Sequence, residues 1–141
     1  MTSKEYLRQA VRLDQRINSD LEELARLREM IMNLPSSAPR DRVRGSADGQ
    51  AAFTRGVERV MEAEARINEE IDRLVDLREE IREVISAVKD PDERIVLRER
   101  YILGRTWEQI GTDMHADERT VRRWHTKALQ HVRVPENATV V

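Results

Sequence analysis

The side chains best suited to chemistry in this 141-residue sequence are cations gathered towards its C-terminal end. Positions 118–133 hold five basic residues and one acidic residue, a local balance of +4. Four of the five are arginines, and a guanidinium group can donate paired hydrogen bonds to phosphate oxygens or to a guanine edge in the major groove of DNA. The segment therefore predicts a nucleic-acid-binding surface.

A helical wheel, turning by about 100° per residue, separates this segment into two faces. The apolar side comprises Val121, His125, Ala128 and Val132, bordered by Trp124 and Leu129. The opposite side is cationic and polar and comprises Arg119, Arg123, Thr126 and Gln130, flanked by Arg122, Lys127 and Arg133. A helix with one packing face and one cationic face has the properties that a DNA recognition helix requires.

The residues before this helix predict how it is positioned. Thr106 and Gln109 have the spacing of a capping box for a short helix from Trp107 to Met114. His115-Ala116 then forms a tight turn, since histidine tolerates the left-handed conformation better than most residues. Asp117 caps the last helix, which runs to about Val132. A short helix, a tight turn and a basic helix predict a helix-turn-helix motif.

A further helix precedes this motif. Asp90 can cap it, Pro91 suits its first position and Glu93 completes a capping box. The helix is expected to continue to about Leu103, where Gly104 ends it.

The N-terminal part of the sequence predicts two long helices with a heptad pattern. In both, mostly apolar positions alternate spacings of three and four, as in the seam of a coiled coil, and Asp20, Glu64 and Arg78 interrupt the pattern. The first helix presents Ala10, Leu13, Ile17, Asp20, Leu24, Leu27, Ile31 and Leu34, and the second presents Phe53, Val57, Val60, Glu64, Ile67, Ile71, Leu74, Arg78, Ile81, Ile85 and Val88. Residues 33–52, rich in Pro, Ser, Gly and Asp, are expected to form the loop between them. Leu77 and Val84 lie beyond the seam, and this extra apolar edge requires a cover, either the next module or a second chain.

The C-terminal motif resembles region four of bacterial sigma factors, the module that reads promoter DNA. The resemblance rests on the strings 106–111, 117–123 and 127–129, and on the step from Arg98 to Ile102. The whole chain resembles a group of small phage and prophage proteins that join a helical hairpin to a sigma-like helix-turn-helix, akin to the RinA and ArpU late-transcription regulators. Val43-Arg44-Gly45-Ser46 matches a Val-x-Gly-Ser step that the hairpin loop of that group often carries.

The resemblance implies base-reading positions at Glu118, Arg119, Arg122 and Arg123. The DNA-binding residues expected on this basis and on the helical wheel are Glu118, Arg119, Thr120, Arg122, Arg123, Thr126, Lys127 and Arg133. Sigma factors have a basic residue where Glu118 stands and a polar one where Arg123 stands, so the promoter sequence cannot be transferred from them. The regions with which sigma factors open DNA have no counterpart in this chain, which is therefore not a complete sigma factor.

Catalysis and cofactor binding are not indicated. The sequence has no cysteine, which excludes thiolate metal sites and thiol nucleophiles. It also has no zinc-binding spacing, no Gly-rich phosphate loop and no nucleophile–base pair, so we expect no enzyme, no cofactor and no metal. His125 is expected to be a core histidine bonded to a neighbour, and Trp107 and Trp124 are expected to supply core.

Composition limits the remaining classes of protein. Charged residues reach 37% and aromatic residues only 4%, which suits long helices better than one thick core. The net charge is −2, but residues 1–90 carry 16 basic and 19 acidic side chains, so the acidity belongs to the N-terminal part. The sequence lacks the apolar stretch of about 18 residues that a membrane span needs, which predicts a cytoplasmic protein.

These observations predict an all-α protein. We expect an antiparallel, coiled-coil-like hairpin over residues 4–89 with a loop at about 33–52, a helix-turn-helix DNA-binding module over 91–133 and a flexible tail over 134–141. The expected function is transcriptional regulation by a phage or prophage protein that binds double-stranded promoter DNA and uses the hairpin to form a homo-oligomer or to dock on host RNA polymerase. Two alternatives stay open: a small terminase subunit for phage DNA packaging, and an interaction protein that occludes host polymerase without binding DNA.

Overall fold

The computed structural model describes residues 1–34 and 46–141, with side chains described from residue 49 onwards in the second of these ranges. Within these ranges the protein has only helices and no strand, which confirms the predicted all-α class. The helices are α1 (Ser3–Met32), α2 (Ser46–Ser86), α3 (Pro91–Leu97), which continues as a π-helical turn (Arg98–Ile102), α4 (Trp107–Met114) and α5 (Glu118–His131). The predicted Val-x-Gly-Ser step at Val43–Gly45 lies outside the described residues.

Helix α2 begins two turns earlier than the sequence indicates. Residues 33–52 are predicted to form a loop, yet residues 46–52 are helical. Ala51 and Ala52 have high helix propensity, and once the long helix that follows has formed, each further residue adds a backbone hydrogen bond at little cost. The Ser and Gly residues that indicate a loop are therefore included in the first turns of α2.

The chain packs as two compact units. Unit 1 comprises Met1–Asp14 and Asp72–Val141, and unit 2 comprises Gln15–Ile71. The division falls inside both long helices, whereas the sequence predicts a domain boundary at Asp90.

Unit 1 contains most of the buried apolar residues. The part of α1 in this unit contributes Tyr6, Leu7, Ala10 and Leu13, the part of α2 contributes Leu74, Leu77, Ile81 and Ile85, and Val88 is buried just after α2 ends. Arg78 of α2 lies 3.5 Å from Asp14 of α1 as an ion pair. Leu77 is fully buried, so the apolar edge for which the sequence requires a cover is covered at this position by the chain itself.

The start of α3 is fixed by Asp90 and Pro91 as predicted, but Glu93 does not complete a capping box, and its carboxylate is hydrogen-bonded to Nδ1 of His131 at 2.7 Å instead. Asp90 accepts hydrogen bonds from the backbone N–H groups of Asp92 and Glu93, and Pro91 occupies the first turn. Arg94 then donates through Nη1 to the carbonyl oxygen of Val88 at 2.8 Å, which ties the helix to the segment before it.

The continuation of α3 differs from the prediction of one α-helix to about Leu103. The Arg98–Ile102 segment is a π-helical turn, and Gly104 has a φ of 68°, the left-handed conformation expected of its terminating glycine. Arg105 forms ion pairs with Glu99, at 2.9 Å, and with Asp113, so one guanidinium group holds the loop between this turn and α4. Burial and the neighbouring Asp113 raise the pKa of Glu99, although Arg105 opposes the shift.

Residues 134–141, for which the sequence predicts a flexible tail, form hydrogen bonds with residues of α1 and α2. The side-chain amide of Gln9 donates to the carbonyl oxygen of Thr139 at 3.0 Å and accepts from the backbone N–H of Val141 at 3.0 Å. The N–H of Thr139 also donates to Glu80 at 3.3 Å. Sequence patterns do not reveal these bonds because none of them joins residues close together in the chain.

In unit 2, α1 and α2 lie antiparallel. Arg28 is paired with Glu64, while Arg16, earlier on α1, is paired at 3.8 Å with Glu70, later on α2. Towards the C-terminal end of α1, an added Cβ at Gly56 would come within 2.7 Å of the Ile31 side chain, so Ile31 packs directly against α2 and a larger residue at position 56 would require it to shift.

The heptad pattern of α2 does not form one buried seam in unit 2. Ala63 and Ile67 are buried, but Phe53, Val57 and Ile71 are exposed by 46, 37 and 36%. The exposed residues lie roughly 80° around the helix from the buried ones on a helical wheel. The three-four alternation of the sequence therefore combines residues from two different sides of α2, one of which is buried and one exposed in the structure.

Candidate nucleic-acid interface

Helix α4 begins with the predicted capping box. The Oγ1 atom of Thr106 accepts from the N–H of Gln109 at 3.2 Å, and the N–H of Thr106 donates to Oε1 of Gln109 at 2.9 Å. Both bonds satisfy donors that the first turn of a helix leaves without intrahelical partners. This start positions α4 against the rest of the motif.

The turn between α4 and α5 depends on two residues. His115 has φ 54° and ψ 42°, the predicted left-handed conformation. An added Cβ at Gly111 would lie 2.8 Å from the carbonyl oxygen of Ala116, so the turn folds back onto α4 at a position where only glycine fits without a shift. The N–H of Ala116 donates to the carbonyl oxygen of Gly111 at 2.9 Å, which closes the turn.

Asp117 caps α5 as predicted. Its carboxylate accepts from the backbone N–H of Thr120 at 2.7 Å. Hydrogen bonds from Thr120, and to a smaller extent the charges of Arg119 and Arg123, hold the pKa of Asp117 below its ordinary value. The cap therefore stays ionised at neutral pH and fixes the point at which α5 begins.

The inner face of α5 packs as the helical wheel predicts. Val121 and Ala128 are fully buried, and His125 and Val132 are nearly so. Val121 forms a cluster with Val96 and Ile110, and the residues packed around this cluster are Trp107, Met114, Ala116 and Trp124. The expectation that both tryptophans pack on the core is confirmed, although each keeps part of its surface exposed.

His125 is the core histidine that the sequence predicts. Its Nε2 atom is hydrogen-bonded to the hydroxyl of Tyr101 at 2.6 Å, and the Trp107 ring packs against the imidazole in a T-shaped arrangement, with the ring centres 4.6 Å apart. Burial, reinforced by the charges of Lys4, Arg100 and Arg122, lowers the pKa of His125 to about 4. His125 is therefore neutral at physiological pH.

The outer face of α5 is exposed along its length. Of the predicted DNA-binding residues, those exposed are Glu118, Arg119, Arg122, Arg123, Thr126, Lys127 and Arg133, and Thr120 is half-buried. Arg133 lies beyond the last helical residue, His131, so it follows the helix rather than belonging to its face. The Thr126 hydroxyl donates to the carbonyl oxygen of Arg122 at 3.0 Å.

The cations of this face differ in their partners. Arg122 pairs with Glu118 at 2.9 Å, one turn earlier, and its guanidinium group lies 5.4 Å from the centre of the Trp107 ring. Among the residues that the structure describes, neither Arg119, Arg123 nor Lys127 has an acidic partner within ion-pair distance. Their charge is therefore the part of the face most open to an anionic ligand.

Arg100 is a cation of this site that the sequence patterns do not indicate. Its guanidinium group lies 4.3 Å from the centre of the Trp107 ring, and its Nη1 atom donates to the carbonyl oxygen of Arg105 at 3.0 Å. Arg100 and Arg122 thus both contact Trp107, from different helical segments. No local signal could have found this contact, because 22 residues separate the two arginines.

Metal sites and membrane spans are not found in residues 1–34 and 46–141. In that part of the chain, no three His, Asp or Glu side chains group as a metal site requires. None of the helices described there is long and apolar enough to span a bilayer.

Residues 12–134 match the model of a protein family described as "Protein of unknown function (DUF722)". Neither the curated proteins nor the solved structures include one that matches the chain.

Proposed function

The chain belongs to the DUF722 family, and we propose that it is a sequence-specific DNA-binding regulator of transcription, of phage or prophage origin. Helix α5 enters the major groove of promoter DNA, and the long helices α1 and α2 serve self-association or contact with host RNA polymerase. One observation carries the proposal: α5 presents an exposed cationic face directly opposite a face that is buried in the core.

The dimensions and the attachment of α5 support entry into the groove. The helix has 14 residues, a length of about 21 Å at the usual rise of an α-helix. Its buried face packs against α3 and α4, which holds the helix rigidly and leaves only the cationic face for a ligand. A rigid helix with its start at a tight turn is the arrangement by which helix-turn-helix proteins contact base edges.

The distribution of charge supports two different roles within the face. Arg119, Arg123 and Lys127 are suited to phosphates or to guanine edges because, among the described residues, no carboxylate lies within ion-pair distance of them. Arg122 is held by Glu118 and Trp107 in a fixed direction, so it enters a complex with little loss of side-chain freedom. Glu118 itself can accept from a cytosine amino group or repel phosphate, which favours some sites over others.

The test measures affinity for promoter fragments from the genome that encodes the protein, over a series of salt concentrations. We expect Arg119→Ala with Arg123→Ala to weaken binding and to reduce the slope of log K against log salt by about 0.9 for each phosphate that the variant no longer neutralises. Arg12→Ala with Arg73→Ala removes the same charge from exposed positions outside α5 and should leave the slope unchanged. Equal affinities and slopes for both pairs and the wild type would rule out DNA contact by α5.

A further inference from the structure

A groove lies where α2 ends and α3 begins, and all the residues that line it belong to unit 1. Its volume is about 310 Å³. The apolar part of the groove is formed by Ile85, Ile95 and Ile102, of which Ile85 and Ile102 are buried and Ile95 is 43% exposed. An apolar groove with an isoleucine exposed to solvent can bind an apolar side chain of a partner.

Three arginines also line the groove and give it a positive charge. They are Arg82 of α2, Arg94 of α3 and Arg98 of the π-helical turn. None of the described residues that line the groove is acidic, and among the described residues no carboxylate lies within ion-pair distance of the three guanidinium groups. Three such cations around one groove favour an anionic ligand.

The guanidinium group of Arg94 is already positioned for a ligand. Its Nη1 atom donates to the carbonyl oxygens of Val88, at 2.8 Å, and of Lys89, at 3.1 Å. Both bonds use the hydrogen atoms of one nitrogen, so those on Nη2 and Nε can pair with the two oxygens of a carboxylate. Because the side chain is half-buried and held by these bonds, it loses little freedom when a ligand binds.

We propose that the groove formed by these three arginines and three isoleucines, the arginine groove, binds an acidic segment of a partner protein. In that segment an apolar side chain lies between carboxylate side chains. The apolar side chain packs beside Ile95, and the carboxylates pair with Arg82, Arg94 and Arg98. The inference rests on the proposed function for the existence of a protein partner, and it adds the site and the chemistry of that partner.

The chemistry of the arginine groove favours an acidic protein segment over DNA. A phosphate backbone pairs with cations but has no apolar side chain to cover Ile95, whereas a peptide supplies both carboxylates and apolar groups. The volume of the groove also lies at the lower end of the range for ligand pockets, about 300–1,000 Å³. The groove therefore admits the side chains of a peptide and excludes a duplex.

The arginine groove and the candidate DNA interface use different sides of α3. On a helical wheel, Arg94 and Arg98 each lie about 160° from Val96. Val96 forms a buried cluster with Val121 of α5. A peptide in the groove therefore need not displace α5 or contact its cationic face, so it does not compete with DNA for that face.

The first test selects binders from a displayed library of random peptides. The target is the full-length chain with Arg119→Ala and Arg123→Ala, so that α5 attracts acidic peptides less than in the wild type. We expect the enriched peptides to place an apolar residue between Asp or Glu residues. A selection that enriches no peptide, or enriches peptides without acidic residues, contradicts the proposal.

The second test measures the affinity of the wild type for an enriched peptide by fluorescence anisotropy. Arg82→Ala and Arg98→Ala should each weaken binding roughly tenfold, since each removes a charge-assisted hydrogen bond. Ile95→Glu should weaken it at least as much, because the new carboxylate takes the place of one from the peptide. Arg12→Ala with Arg73→Ala is the matched control, since it removes the charge of two exposed arginines outside the groove. Equal weakening by this control would show unspecific attraction and refute the groove as the site.

The third test separates a peptide from the other possible occupants of the groove. The double variant Arg82→Ala with Arg98→Ala should bind promoter DNA with the affinity and salt slope of the wild type, and should have the same mass by sedimentation equilibrium. A slope reduced as much as by Arg119→Ala with Arg123→Ala would identify the occupant as DNA, and a loss of self-association would identify it as a second copy. Either result overturns the proposal.

Failure of this inference can be distinguished from failure of the proposed function. Peptide binding is measured without DNA, and DNA binding is measured without peptide. Wild-type protein that binds promoter DNA but no acidic peptide refutes the arginine groove alone. Protein that binds the peptide through Arg82 and Arg98 but no DNA refutes the role proposed for α5.

Discussion

His125 is uncharged and buried, although it lies on α5, the helix whose exposed face is cationic. Its partner is the hydroxyl of Tyr101, and Trp107 packs against its ring. A protonated imidazole in this position would add a cation close to Arg100 and Arg122 in a poorly hydrated site. The residue therefore connects the stability of the core to the pH of the solution.

This connection predicts a loss of stability in acid. The pKa of His125 is about 4 in the folded protein against an ordinary value of 6.5, so between these values the unfolded chain binds the proton and the folded chain does not. The free energy of unfolding should therefore fall as the pH drops from 6.5 towards 4, by about 3 kcal/mol from this residue.

Urea unfolding at a series of pH values, compared between the wild type and the double variant His125→Phe with Tyr101→Phe, measures this contribution. The double variant replaces both partners of the hydrogen bond and leaves no buried polar group unpaired. The free energies of unfolding of the two proteins should run parallel above pH 7 and diverge as the pH falls through the acidic range. Parallel curves over the whole range would contradict the assignment of the acid-sensitive step to His125.

At the scale of elements, the turn between α4 and α5 sets the direction of the candidate interface. Its left-handed residue is His115, although glycine adopts this conformation without steric cost. The close approach of Gly111 to Ala116 and the cap at Asp117 fix the residues on either side. The turn is therefore constrained on both sides around one strained residue.

Substitutions at His115 should show how much the left-handed backbone conformation costs in stability. We expect His115→Gly to raise the free energy of unfolding relative to His115→Ala by about 1 kcal/mol, because alanine retains the clash of Cβ in the left-handed region. The wild type should lie between the two variants or near the alanine variant. Thermal unfolding of the three proteins provides the measurement, and an alanine variant as stable as the glycine variant would show that the left-handed conformation carries no cost here.

The elements differ in how far the sequence could predict them. The capping residues Thr106, Asp90 and Asp117 act on backbone groups two or three residues away, so their spacing alone predicts the starts of α3, α4 and α5. The start of α2 and the π-helical turn after α3 could not be predicted in this way. The start of α2 depends on how far a long helix extends, and the π-helical turn depends on how the segment after α3 packs. No short sequence motif marks either feature.

At the scale of the whole molecule, the two units differ in how they are stabilised. Unit 1 buries aromatic and aliphatic residues from every helix that contributes to it, whereas the described part of unit 2 buries four apolar residues. In unit 2, the carboxylate of Glu70 is almost fully buried, and this burial, with Asp20 nearby, raises its pKa although Arg16 opposes the shift. A buried carboxylate with an incomplete set of partners adds no strength to a thin core.

This difference predicts unequal protection from hydrogen exchange. In a dilute, monomeric sample, amides of residues 58–67 in α2 should exchange faster than amides of residues 77–85 in the same helix, because fewer buried contacts oppose local opening. Exchange followed by mass spectrometry resolves the two segments. Equal protection in both segments would contradict the account of unit 2 as the less stable part of the chain.

The sequence by itself determined the all-α class, the starts of the short helices, the left-handed turn and the division of α5 into a buried and a cationic face. These features depend on interactions within one or two helical turns, so the order of residues is sufficient to specify them. The tertiary structure alone decided that Leu77 is covered while Val57 and Ile71 are exposed, that Arg100 and Arg122 share Trp107, and that His125 bonds to Tyr101. Each of these outcomes depends on which residues from distant parts of the sequence come into contact, and heptad spacing and composition do not specify those contacts.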